Sequence, residues 1–303
     1  MSMRVATFAN NDQMLSASLR AQAEMSKLQL QEASGQVSTS YAGYGNATRK
    51  LVNLDVSLQQ SKTYSTAATE ASSRTTVMYD TMSSVTDLLT SFRSQLTAVT
   101  SADGTTDTSI AELKAAASSA LDDLKSALNT QYEGRYVFSG SDTTTAPVDL
   151  TSYAPTLDAA DTSYYQGNSD VAAVRVSSDR TVSYGVTVDS SAFEQAFRVL
   201  SSIANSDGTP DADTLSTASD LITSALDGTI AIQSKLSLTA SSLDSASNEQ
   251  QDYQDFLTTQ ISDVRDVDVT AISVKLTSYE TQLQASYSAL AKVQSLSLMD
   301  YLK

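Results

Sequence analysis

The chain has 303 residues, of which 41% are apolar, so it is long enough to bury one or more hydrophobic cores. Its 19 Lys and Arg stand against 35 Asp and Glu, and the formal net charge of -16 repels phosphate backbones and anionic lipid. We therefore expect no nucleic-acid partner and no membrane partner. Cysteine and histidine are both absent, which removes thiolate and imidazole as ligands and nucleophiles. We expect a protein that is not an enzyme, with no catalytic site, no cofactor and no metal.

Glycine and proline are rare and unevenly placed, with ten and three in the whole chain. Residues 1–34, 46–103 and 229–303 contain neither, whereas six of the thirteen fall between 134 and 185. These residues cost about 1 and 3 kcal/mol, respectively, in a helix interior. The pattern predicts helical chain ends around an irregular middle. A single helix over the last 75 residues would be about 110 Å long.

Apolar side chains recur at steps of three and four residues in four segments. These segments run from Met78 to Val99, Ile110 to Leu128, Leu215 to Leu243 and Val269 to Val293. Such spacing places the side chains along one side of a helix. A sustained repeat of this kind favours long helices packed at shallow angles, as in helical bundles and coiled coils.

The middle of the chain changes to a period of two. Val174, Val176, Val182 and Tyr184 alternate with polar residues around the turn 177–180, a pattern typical of a β-hairpin. We expect a small β-rich domain over residues 136–191 with a core of its own. A long ordered loop is the alternative.

Several motifs resemble those of bacterial flagellins. They are Leu28 to Gly35 (LQLQEASG), Gly134 to Ser141 (GRYVFSGS), Tyr164 to Asn168 (YYQGN), Val267 to Val269 (VDV), Leu283 to Ser288 (LQASYS) and Leu296 to Leu302 (LSLMDYL). The chain is thus similar to the flagellin family over nearly its whole length. Its Asp-Tyr-Leu ending favours the hook-filament junction branch over filament flagellins, which usually end in Leu-Leu-Arg. After Gly35 the family usually carries Asp-Asp-Pro, which is absent here.

The resemblance implies a mainly α, elongated, antiparallel helical bundle with three layers. Residues 1–38 and 268–303 would form an inner coiled coil, 39–135 and 192–267 a bundle, and 136–191 an outer β-rich domain. It also implies a structural, self-assembling subunit of the extracellular flagellum, exported by the flagellar type III route without a cleaved signal peptide. Its partners would be further copies in a ring or helix, an adjacent hook-associated protein, flagellin and an export chaperone. Filament flagellin is the alternative function, and an extracellular coiled-coil adhesin a more remote one.

The terminal helices are the expected assembly interface, because a lone helix with an apolar side has no core until a neighbour covers it. The candidate contact residues are Met14, Ala21, Met25, Leu28, Leu276, Leu283, Leu290, Val293, Leu296 and Leu298. The alternative is an ordinary intramolecular bundle.

Closely spaced acidic residues occur at Asp211 and Asp213 and at Asp266 and Asp268. They could suggest paired catalytic acids or a Ca²⁺ loop, but no EF-hand spacing follows them. We interpret them as solvated helix faces or helix caps.

Overall fold

A computed structural model describes the backbone of residues 2–101 and 106–301, and the side chains of residues 12–101 and 106–292. Over these residues the elements are α1 (Ser2–Ser34), a 3₁₀ helix (Tyr41–Ala47), α2 (Thr48–Ser101), α3 (Asp107–Leu128), β1 (Gln131–Tyr132), β2 (Arg135–Tyr136), β3 (Ala173–Arg175), β4 (Thr181–Ser183), α4 (Ser191–Ala204), α5 (Ala212–Arg265) and α6 (Val269–Tyr301). The predicted mainly α fold is confirmed. The chain divides into two compact units: unit 1 comprises residues 1–60 and 254–303, and unit 2 comprises residues 61–253.

The core of unit 2 is built from the predicted apolar repeats. On α2, every member of the repeat is buried: Met78, Met82, Val85, Leu89, Phe92, Leu96 and Val99. On α3 and α5, Ile110, Leu113, Leu124, Leu128, Leu215, Ile222, Leu236 and Leu243 are buried as well. The repeat therefore follows the side of each helix that faces the core.

Helix α4 lies in the segment 192–267 that was expected to belong to the bundle, but its own apolar repeat was not identified from the sequence. Phe193, Phe197 and Leu200 follow steps of four and three residues along one side of the helix, and all three are fully buried. The polar residues of α4, such as Glu194 and Arg198, lie on its other side. Glu194 and Arg198 are also buried and form an ion pair, with Arg198 Nε 3.1 Å from Glu194 Oε1.

The last 75 residues form two helices and not one. Helix α5 ends at Arg265 and α6 begins at Val269, although no glycine or proline separates them. The Asp268 carboxylate accepts a hydrogen bond from the Ala271 backbone N–H at 3.1 Å, which caps the new helix. Asp211 caps α5 in the same way by accepting from Thr214 N–H at 2.8 Å, and hydrogen bonding by Thr214 lowers the pKa of Asp211. Two of the closely spaced acids are thus helix caps.

The predicted hairpin is confirmed as β3 and β4, which pair antiparallel with Val174 opposite Val182. The expected separate core is wrong. Val176 and Tyr184 pack with Ala71 of α2 and Leu243 of α5, and Phe138 and Tyr164 join the main core that contains α4. Strands of three residues bury too little surface to be stable alone, so the hairpin depends on the helices. The rest of residues 136–191 is mostly irregular.

Two of the flagellin-like motifs pack directly on each other. Gly140 has φ +73°, and a Cβ atom there would overlap the carbonyl oxygen of Asn168. Tyr165 donates its hydroxyl proton to the same Asn168 carbonyl at 2.6 Å. Glycine is thus required at 140 by both the backbone angle and the close approach.

Candidate assembly interface on the terminal helices

Helices α1 and α6 pair along their lengths within unit 1. Among the side chains that the structure describes, four apolar ones form the buried seam between them: Ala21 (8% exposed), Leu28 (7%), Ile272 (7%) and Leu283 (5%). At the end of the seam nearest α2, the Ser273 hydroxyl donates to the Glu32 carboxylate. This hydrogen bond joins the end of α1 to the beginning of α6, so the two helices run antiparallel.

The candidate contact residues fall into three groups. Ala21, Leu28 and Leu283 are buried in the seam. Met14, Met25, Leu276 and Leu290 are half-buried. The side chains of Val293, Leu296 and Leu298 lie outside the described residues. The first group therefore contacts the same chain, and a role for the set in contacts between copies stays a prediction.

A second apolar set on α1 was missed in the sequence. Leu15, Leu19 and Leu30 are 50%, 57% and 56% exposed, and we call these three residues the outer stripe. At about 100° per residue, the stripe lies roughly 160° around the helix from Ala21 and Leu28. The sequence contained the signal for this second apolar side, because Leu15 and Leu19 have the four-residue spacing of a helix. Leu15 is one residue after Met14 and so lies on a different side of α1 from the predicted set. Exposed leucines on one side of a helix make this side a candidate contact surface.

The seam is thin in its described part, where the large buried apolar side chains are Leu28, Ile272 and Leu283. Burial of Leu28, Ile272 and Leu283 contributes roughly 5–9 kcal/mol at about 1.5–3 kcal/mol per large side chain. Tertiary packing supplies most helix stability in proteins. Further burial, of the kind the outer stripe offers, would add to the stability of this pair.

Charge is distributed very unequally between the two units. Unit 1 carries nine Lys and Arg against ten Asp and Glu, whereas unit 2 carries ten against 25. The net charges are therefore -1 and -15. Copies of the chain can bring their unit 1 surfaces together with little Coulomb repulsion, while their unit 2 surfaces repel one another.

No group of three or more acidic residues that could hold a metal ion occurs among the described residues. Within the same part of the chain, no helix has the combination of length and apolar character needed to span a bilayer.

Comparison with protein families identifies the class of protein. The model described as the bacterial flagellin N-terminal helical region matches residues 5–143, and that described as the bacterial flagellin C-terminal helical region matches residues 219–302. The two matches together span well over half of the chain. The chain belongs to the bacterial flagellin family.

Solved structures with the same fold include three flagellar proteins. A flagellar hook-associated protein from Vibrio parahaemolyticus has a TM-score of 0.61 and 19% identity, over 72% of this chain and 97% of that one. FlgL from Bacillus cereus has a TM-score of 0.54 and 14% identity, over 69% and 97%. Flagellar hook-associated protein-3 from Legionella pneumophila has a TM-score of 0.58 and 13% identity, over 70% and 98%. No curated protein sequence matches the chain.

Proposed function

We propose that this chain is a structural subunit of the bacterial flagellum that joins the hook to the filament. The three structural neighbours are named as hook-associated proteins or FlgL, and nearly the whole of each is covered by this fold. The Asp-Tyr-Leu sequence at residues 300–302 supports the same branch of the family. The partners would be further copies, an adjacent hook-associated protein, flagellin and an export chaperone. The site of action would be extracellular, after export by the flagellar type III route.

The exposed outer stripe carries this proposal. Leu15, Leu19 and Leu30 offer apolar surface on the side of α1 that faces away from the seam. The occupant that we propose is a terminal helix of a second copy. The nearly neutral charge of unit 1 supports that choice, because an identical surface can approach it without electrostatic cost. In the assembly, the seam would hold each chain's two helices together and the stripe would join one chain to the next.

The test places charge on the stripe. We expect Leu15→Asp with Leu19→Asp to leave the melting of unit 2 unchanged, because both leucines belong to unit 1 and are 50% and 57% exposed. In the assembly, an unpaired buried carboxylate costs several kcal/mol. Cells that depend on this variant should secrete it, fail to swim and shed flagellin into the medium. Purified protein should remain monomeric by sedimentation under conditions in which the wild type assembles.

The matched control adds the same charge elsewhere on α1. Gln13 and Gln29 are exposed and lie outside the stripe, so Gln13→Asp with Gln29→Asp should assemble like the wild type. Normal motility and assembly of the stripe variant would refute the interface. Equal loss in the control would show that charge on α1, and not the stripe, decides assembly.

Filament flagellin is the alternative within the same family. A filament flagellin adds to seeds of its own kind without limit, whereas a junction protein forms a short structure and stops. Electron microscopy of the purified wild-type protein after seeding distinguishes the two. Continuous growth would identify the chain as a filament flagellin and leave the stripe as its contact surface. A stable, soluble rod that never assembles would favour an adhesin.

A further inference from the structure

The connector that follows α1 is hydrogen-bonded to the connector between α5 and α6. The Val37 backbone N–H donates to the Arg265 carbonyl at 2.8 Å, and Val267 N–H donates to the Gly35 carbonyl at 3.0 Å. Gln36 and Asp266 form an antiparallel β-bridge between these two hydrogen bonds. Two segments separated by about 230 residues in the sequence are thus joined by a short ladder.

Side chains fix this ladder to the first turns of α2. Arg265 Nη2 donates to both carboxylate oxygens of Asp55, at 3.1 and 2.9 Å. The Tyr41 hydroxyl donates to the same carboxylate at 3.0 Å. The side chains of Arg265 and Asp55 are 31% and 26% exposed, so the ion pair is partly shielded from water. We call the ladder together with Arg265, Asp55 and Tyr41 the clasp.

The clasp lies where α1 ends and α6 begins. Gly35 adopts φ +68° and donates its N–H to the Gln31 carbonyl at 2.8 Å, which ends α1 with a left-handed residue. On the other connector, Asp268 caps the first turn of α6. The last residue of one helix and the first of the other are therefore held beside each other, and the Glu32–Ser273 hydrogen bond is the next contact outward.

We propose that the clasp nucleates the pairing of α1 with α6 and sets its register. Once Gln36 and Asp266 are joined, each further contact closes only a short loop, so pairing can proceed from the clasp as a zipper. Steps of seven residues from Gly35, which ends α1, and from Val269, which begins α6, place the apolar positions opposite one another. The resulting pairs are Leu28 with Leu276, Ala21 with Leu283, and Met14 with Leu290. A seam this thin would tolerate other registers without such a fixed starting point.

The first experiment removes one ladder hydrogen bond and measures hydrogen exchange of the monomeric protein. Val37→Pro eliminates the N–H that donates to Arg265. We expect amides of α1 from Ala21 to Ser34 and of α6 from Val269 to Leu283 to exchange at least tenfold faster. Peptides from α5 between Leu215 and Leu236 lie in the core of unit 2 and should keep their rates, which confirms that the variant is folded.

The second variant weakens the clasp through its ion pair. Asp55→Asn keeps the shape of the side chain but removes its charge, and it should raise exchange in the same two segments by a smaller factor. The control is Glu249→Gln, which removes the Arg180–Glu249 ion pair of 3.6 Å in unit 2. It should change neither segment. The proposal is overturned if α1 and α6 keep wild-type exchange in Val37→Pro, or if Glu249→Gln accelerates them equally.

The register is tested with engineered cysteines, which would be the only thiols in the chain. Ala21→Cys with Leu283→Cys should form a disulfide under mild oxidation of the monomer, because the two positions face each other in the proposed register. Ala21→Cys with Leu276→Cys is one heptad out of register and should close at least tenfold more slowly. Adding Val37→Pro should reduce that difference. Equal rates for the two pairs in the otherwise wild-type chain would refute a fixed register. None of these measurements requires assembly. Their outcome therefore tests the clasp independently of the proposed function.

Discussion

Tyr153 and Tyr164 lie edge to face in the core of unit 2, with ring centroids 5.2 Å apart, yet their hydroxyl groups differ. The Tyr164 hydroxyl donates to the Val188 carbonyl at 2.8 Å. The Tyr153 hydroxyl is buried without a hydrogen-bond partner among the described residues. Tyr164→Phe leaves the Val188 carbonyl unpaired and should lower the free energy of unfolding by about 1–3 kcal/mol. Tyr153→Phe removes an unsatisfied group and should raise it by about 1 kcal/mol.

Alkaline pH separates this explanation from a general packing effect. Burial raises the pKa of Tyr153 and of Tyr164 well above the ordinary value of 10.0. A tyrosine whose pKa is raised on folding contributes stability that is complete below pH 10 and is lost as the pH rises towards the folded-state pKa. At pH 11 the loss for one such tyrosine is about 1.4 kcal/mol, because only the unfolded chain ionises. Phenylalanine cannot ionise, so Tyr164→Phe should close most of its gap to the wild type by pH 11.

Urea unfolding followed by circular dichroism at pH 8 and pH 11 measures both effects. Tyr287→Phe is the control, because Tyr287 is 52% exposed and its loss should alter the stability little at either pH. Equal destabilisation by Tyr153→Phe and Tyr164→Phe at pH 8 would refute the hydrogen-bond assignment. A constant gap between Tyr164→Phe and the wild type from pH 8 to pH 11 would refute the role of burial.

Three further outcomes are expected. Glu133 has φ +53° in a two-residue hairpin turn, a backbone angle that asparagine adopts more readily than glutamate. Glu133→Asn should therefore raise the melting temperature slightly, even though it removes the weak ion pair with Arg74. A lower melting temperature would contradict this. Asn129 accepts from Val148 N–H at 2.9 Å and donates to its carbonyl at 3.0 Å, so Asn129→Ala should cost about 2 kcal/mol in urea unfolding, and a neutral effect would argue against this link. In the monomer, amides of residues 12–34 and 269–292 should exchange faster than the core of unit 2, and uniform protection would show that the seam suffices.

The long helices could be predicted from the sequence because their burial is one-sided. The repeat from Met78 to Val99 is interrupted by polar residues on the solvent side, and that contrast produces the period. Helix α4 has the same contrast over a shorter length, because Phe193, Phe197 and Leu200 follow steps of four and three residues, so its signal was present in the sequence and was missed. The break between α5 and α6 was missed for another reason. It depends on the ladder with the connector after α1, which is a long-range contact and not a local breaker.

The assembly interface could be predicted only in part. The sequence identified Ala21, Leu28 and Leu283 as apolar positions, but spacing alone does not state which neighbour covers them, and the structure places them against each other within one chain. Leu15 and Leu19 satisfy the same spacing on the opposite side of α1. Two apolar sides on one helix become distinguishable only when one of them is occupied.

Substitutions at Leu290 and Leu296 distinguish two roles for the terminal helices, which are packing within the seam and contact between copies. Leu290 is half-buried on the side of α6 that carries Ile272 and Leu283, whereas the side chain of Leu296 lies outside the described residues. Leu290→Asp with Leu296→Asp should leave the melting of unit 2 unchanged, since both positions belong to unit 1. The variant should be exported but fail to join hooks to filaments, because an unpaired carboxylate in a desolvated contact costs several kcal/mol.

Amide exchange then assigns the lost contact. If α6 of the monomeric variant exchanges at wild-type rates while motility is lost, the two leucines contact a neighbouring copy. If exchange in α6 rises together with the loss, they belong to the seam, and the defect in assembly follows from a terminal helix that no longer stays paired. Normal swimming with both substitutions would remove Leu290 and Leu296 from either surface, and the outer stripe would then be left as the contact between copies.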